Sequence, residues 1–164
     1  MPPKKHLKDK ETKQLLREFI QRYPSSESLL VSAREVEELQ VGDDFVYFLN
    51  GRPSILRTKF GLLPSLKFDE FIGILPRITV DMGAVSHLVN GADVMRPGIK
   101  DIPSGFTKGD LLVIVDEKFG KDIVLGQADT DSSAMKTLGK GKVIVNLHYV
   151  GDEVWKAFSE GKAS

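Results

Sequence analysis

The 164-residue chain predicts an α+β fold in two parts: an N-terminal helix with a small antiparallel sheet, then a small barrel of short strands. Three observations lead there. Apolar residues recur at helical spacing in ETKQLLREFIQRY, residues 11–23. An Asn50-Gly51 pair separates two β-like runs. Beyond Arg77, short apolar runs are broken by turn residues and small helical patterns.

Residues 1–10 carry Lys4, Lys5, Lys8 and Lys10 with little apolar content, and read as a flexible basic tail. Over 11–23, Leu15, Leu16, Phe19, Ile20 and Tyr23 share one face, and Pro24 ends the helix because it cannot extend the hydrogen-bond ladder. Ser32 and Glu35 have capping-box spacing, but Val36–Val41 reads better as a strand. Phe45–Leu49, Asn50-Gly51 and Ser54–Arg57 spell a hairpin, since Asn-Gly supplies the two positive φ angles of a tight turn. Leu66, Phe68, Phe71, Ile72, Ile74 and Leu75 form an apolar connector expected to pack between two lobes and closed by Pro76.

Ile78, Val80 and Met82 alternate with polar residues as in a half-buried strand. Ala84-Val85 and Leu88-Val89 then recur at helical spacing, and Gly91 stands where a C-terminal cap belongs. Leu111–Val115 is apolar on both faces, as inside a barrel; 123–128 and 142–148 are further strands. Ser132–Leu138 reads as a helical turn, and 151–158 as an amphipathic end piece anchored by Trp155 and Phe158. The expected organisation is a tail over 1–10, a first lobe over 11–75 and a barrel domain over 76–158.

Charge is balanced, 23 basic against 23 acidic residues, so neither part is a basic block that grips nucleic acid by charge alone. No cysteine is present, which excludes disulfides and thiol nucleophiles and fits a reducing, cytoplasmic setting. The start lacks the apolar core of a secretory signal, and no run is long and apolar enough to span a membrane.

Catalytic signatures are missing. His6, His87 and His148 have no partner at metal-binding spacing, and neither a GxSxG elbow nor a phosphate loop occurs. Gly139-Lys140-Gly141-Lys142 reads as a turn into the last strand, and Asp129 and Asp131 as a solvated loop rather than a cation site. A non-enzyme with no cofactor and no metal is expected.

Asp81, Gly83-Ala84, the helix ending at Val89, Gly91–Met95, Pro97-Gly98-Ile99, Lys108-Gly109-Asp110, Gly126-Gln127-Ala128 and Gly141-Lys142-Val143 stand in order over Arg77–Gly151. This set resembles a PUA domain, a small RNA-binding pseudobarrel. Phe45–Leu49, Pro64-Ser65-Leu66 and the approach to Pro76 look like the pre-PUA lobe of the malignant-T-cell-amplified-sequence family of translation-associated proteins. The resemblance implies a pre-PUA lobe followed by a PUA β-pseudobarrel. It also implies binding to the tRNA acceptor end or ribosomal RNA, to the small ribosomal subunit, and to a SUI-type partner protein.

The residues expected to meet RNA are Gly91, Ala92, Arg96, Pro97, Gly98, Lys100, Lys140 and Lys142. Gly91-Ala92 would bare main-chain N–H groups to a sugar-phosphate strand. Pro97-Gly98 suits the middle of a type II turn, and Arg96, biased to extended backbone by the proline after it, would project from the rim to fork onto phosphate. Lys100, Lys140 and Lys142 would flank the groove. Each also has a purely structural reading: Gly91 as a cap, Pro97-Gly98 as a turn, the lysines as solvated, and Val94, Met95 and Ile99 as core. Two rival functions are an RNA-gripping accessory subunit of a transglycosylase or pseudouridine synthase, and a protein-interaction module docking a partner on Leu66–Leu75 without RNA affinity.

Overall fold

The structure is a computed structural model that describes residues 3–159. The chain divides into two units: one runs to Gly73 and resumes at Glu153, the other is Ile74–Asp152. Among the described residues no helix is long and apolar enough to cross a membrane.

The first unit holds a sheet of order β1-β2-β3-β4-β5: Lys5–His6, Val36–Val41, Asp44–Leu49, Arg52–Thr58 and Gly61–Pro64. Helix α1, Asp9–Arg22, packs through buried Leu15 and Phe19. The basic tail expected over 1–10 is a correction. Lys5 and His6 pair with Glu38 and Glu37 of β2, and Leu7 N–H donates to Val36 O at 2.9 Å. Lys4 Nζ reaches Glu37 at 3.3 Å and lies 4.9 Å from the Phe48 ring centroid. An open β2 edge offers unpaired main chain, and lysine is a residue that sheet edges favour. Met1 and Pro2 fall outside the described residues.

The β3–β4 hairpin closes through Asn50 (φ 52) and Gly51 (φ 84). Asn50 does more than turn. Its Oδ1 accepts from Arg34 N and Glu35 N at 2.9 and 3.0 Å, and its Nδ2 donates to Ser32 O at 2.8 Å. Asn50→Ala is expected to lower this unit's stability by about 2 kcal/mol, because alanine loses the staple and dislikes positive φ. A fall in the urea midpoint reads this out. Asn50→Gly should recover the φ contribution alone.

The apolar connector is also corrected. Phe68 and Phe71 sit inside the first unit, with ring centroids 6.3 and 5.8 Å from Phe19. Leu66 and Ile72 are buried with them, so of the apolar residues from Leu66 to Ile72 none is offered to a partner, while Ile74 is 57% exposed. Helix α2, Asp69–Ile72, directs those rings inward. A further correction concerns 151–158, expected to end the barrel domain. Helix α5, Glu153–Ala157, belongs to the first unit, burying Val154, Ala157 and Phe158, with Lys67 Nζ 4.7 Å from the Trp155 ring centroid.

The second unit is a sheet of order β7-β11-β10-β9-β6-β8. The strands are β6 (Arg77–Val80), β7 (Val94–Met95), β8 (Ile99–Asp101), β9 (Leu111–Asp116), β10 (Asp122–Ala128) and β11 (Lys142–Tyr149). All pair antiparallel except β6 with β9. Every residue of β9 is buried, and Ile78, Val80, Leu112, Ile114, Val124 and Ile144 make its centre. The two edge strands, β7 and β8, follow each other in the chain, linked by a single 3-10 turn, Arg96–Gly98. The sheet therefore curls on itself and is closed by a covalent seam instead of a ladder of hydrogen bonds. Helices α3, Met82–Leu88, and α4, Ser132–Thr137, complete the unit.

Candidate nucleic-acid interface

The seam and α3 enclose a groove of about 450 Å³. Asp81 starts α3, its Oδ1 accepting from Ala84 N at 2.8 Å. The turn that ends α3 runs through Gly91, whose φ of 93° an L side chain rarely adopts. Ala84, His87 and Leu88 form one wall; Ala92, Val94, Met95, Pro97 and Gly98 form the other. Gly98 lets the seam lie close to α3: a Cβ there would stand a tight 3.1 Å from Ala84 Cβ.

Asn146 of β11 holds the walls at their spacing. Its Nδ2 donates to Leu88 O at 3.1 Å and Ala92 O at 2.9 Å, while its main-chain N–H donates to Asp93 Oδ1 at 2.8 Å. Asn146 is not among the residues expected to meet RNA; its signal in the sequence is one amide inside the apolar run Val143–Leu147.

Gly91 and Ala92 are exposed beside the groove, but their N–H groups already donate, to Leu88 O at 3.0 Å and His87 O at 3.1 Å. The expectation that these amides face a sugar-phosphate strand is therefore corrected, since capping the helix uses both. Arg96 does not project from the rim either. Its Nε donates to Met135 O at 2.9 Å and its Nη1 to Ile99 O at 3.4 Å, because the carbonyl end of α4 attracts a cation. Pro97-Gly98 is a 3-10 turn with no positive φ at Gly98, not a type II turn.

Lys142 lies opposite Met95 in the ladder and its Nζ is 3.9 Å from Asp93 Oδ2. Lys140 is exposed in the turn before β11, and Lys100 on β8; neither lines the groove. Of the apolar residues assigned to core, Val94 and Ile99 are buried, but Met95 is 51% exposed. Both groove carboxylates are engaged, Asp81 as a helix cap and Asp93 with Asn146 and Lys142. The result is a mostly apolar slot of about 450 Å³ with Lys142 at its edge. Among the described residues no group of three or more His, Asp or Glu could hold a metal.

These features define a two-unit protein whose second unit is a small, seam-closed β-barrel. The PUA domain family matches residues 76–150. A Methanocaldococcus jannaschii protein is 34% identical over 153 residues, 91% of this chain and 93% of its own. Translation machinery-associated protein 20 of Saccharomyces cerevisiae is 28% identical over 149 residues, 84% of this chain and 82% of its own. A PUA-domain protein of Aeropyrum pernix, solved with tartrate, superposes with a TM-score of 0.78 at 25% identity, covering 97% of this chain and 92% of its own. The chain belongs to the PUA-domain proteins, and over most of its length it resembles the malignant-T-cell-amplified-sequence family, in which a pre-PUA lobe precedes a PUA domain.

Proposed function

We propose that this protein binds RNA without catalysis, in cytoplasmic translation, through the groove between α3 and the seam. The strand it takes is a single-stranded end, either the tRNA acceptor end or an unpaired stretch of ribosomal RNA. Small-subunit association with a SUI-type partner is the setting this implies. The carrying observation is the groove itself: an apolar slot walled by Ala84, Pro97 and exposed Met95, with Lys142 at its lip. Sequence-specific RNA recognition works on unstacked bases because the A-form major groove is too narrow for side chains. A base would lie against Met95 and Pro97, and Lys142 would meet a phosphate. Gly91, Ala92 and Gly98 act through shape; Lys140 and Lys100 add charge nearby; Arg96 anchors the turn rather than touching the ligand.

The test uses a labelled single-stranded oligoribonucleotide ending in CCA. Met95→Glu puts a carboxylate on an exposed wall and should weaken binding at least about tenfold with an unchanged melting curve. Lys142→Ala should flatten the salt dependence of log affinity by about 0.7. Equal binding by wild type and Met95→Glu would sink the proposal.

A further inference from the structure

The turn between β9 and β10, Glu117–Lys121, has an organisation the groove does not account for. Phe119 is 63% exposed at its tip. Lys118 and Lys121 place their ammonium groups 5.2 and 5.9 Å from its ring centroid. A single exposed apolar side chain needs no explanation. Here, however, the main chain of the turn that carries the ring is held in place. Asp116 Oδ1 accepts from Lys118 N at 2.9 Å and from Phe119 N, and Oδ2 accepts from Lys121 N at 3.0 Å. Gly120 N also donates to Asp116 O at 3.1 Å. The Phe119 amide, foremost, holds the Asp116 carboxyl below its ordinary range, so it remains a charged acceptor for the turn.

The charges around the tip are sorted. Asp116 is spent on the turn's own amides, and Asp122 on Arg77 at 2.8 Å. Glu117 is an exposed acidic neighbour, but its main-chain N–H donates to Val80 O at 2.9 Å, tying the turn to the end of β6. Asp81, the next residue after Val80, lines the seam groove. At about 3.8 Å per residue the turn therefore begins within about 10 Å of that groove. An exposed aromatic ring on an ordered turn, with flexible lysines beside it, is what single-stranded nucleic acid uses: bases stack, phosphates pair with lysine.

We propose that this turn is a second RNA contact, in which Phe119 stacks on an unpaired base of the strand held in the groove and Lys118 and Lys121 meet its phosphates. The assignment rests on reading the groove as an RNA site. Phe119→Ala in the full chain should weaken binding of the same oligoribonucleotide about tenfold or more, while Phe119→Trp retains it. Lys118→Ala and Lys121→Ala should each flatten the salt slope by about 0.7. If Phe119→Ala binds like wild type while Met95→Glu is crippled, the turn is no contact and the groove stands. If the wild-type chain does not bind at all, both readings fall. Phe119-dependent sedimentation with phosphatidylserine vesicles, with RNA affinity unchanged, would reassign the turn to a lipid surface and overturn the proposal.

Discussion

Asn146→Asp is expected to destabilise the second unit by about 3 kcal/mol and to spoil the groove with it. The native amide is 8% exposed and donates to two carbonyl oxygens, Leu88 O and Ala92 O. A carboxylate in its place has no proton to give and sets its charge against both oxygens. The new carboxyl escapes by holding a proton, so its folded pKa should rise above its unfolded value. Stability associated with the protonated form is then full below the unfolded pKa and is lost as pH rises through the folded pKa. The variant should therefore melt progressively lower than wild type as pH climbs from acid towards neutrality, a trend thermal melts across that range will reveal. Asn146→Ala removes the same bonds without the charge, costs about 1–3 kcal/mol and should lack that pH trend. In both, freeing the loop at Ala92 from the end of α3 should lower oligoribonucleotide affinity.

Gly126→Val should cost about 3 kcal/mol, through overpacking rather than lost bonding. Gly126 lies at the register shift where β10 meets β11. A Cβ there would approach Ile144 Cγ2 to 2.5 Å and Val145 O to 3.3 Å. Ile144 is wholly buried and cannot swing away. The expected readout is a marked fall in the urea midpoint. A double-mutant cycle isolates the cause: Gly126→Ala should cost less in an Ile144→Ala background, where no Cγ2 opposes the added methyl. Additive costs would place the damage elsewhere in the strand.

Local features were read well from residues alone. The Asn50-Gly51 hairpin follows from backbone sterics at two adjacent positions, and the structure has both at positive φ. The α1 stripe of Leu15 and Phe19 is a matter of 3.6-residue spacing. The all-apolar run 111–115 is buried throughout, as a strand covered on both faces must be. Of the residues expected to meet RNA, Ala92, Pro97 and Gly98 line the groove and Lys142 stands at its edge beside Asp93, while Met95, expected in the core, is exposed on its wall, and Asn146 carries no such expectation.

What went astray shares one cause. Arg96 turns to Met135 O, a partner 39 positions along the chain. Lys5 and His6 join β2 because Glu38 and Glu37 wait across a gap of some thirty residues. Helix α5 leaves the unit it follows in sequence and packs with the one that begins the chain. Helix periodicity and turn geometry depend on residues within a few positions of one another, and the family resemblance on the order of such motifs along the chain, so sequence order suffices for them. Whether a cation meets water or a carbonyl, whether an amide is offered or already spent, and which apolar side chain closes a core depend on neighbours that folding alone brings near.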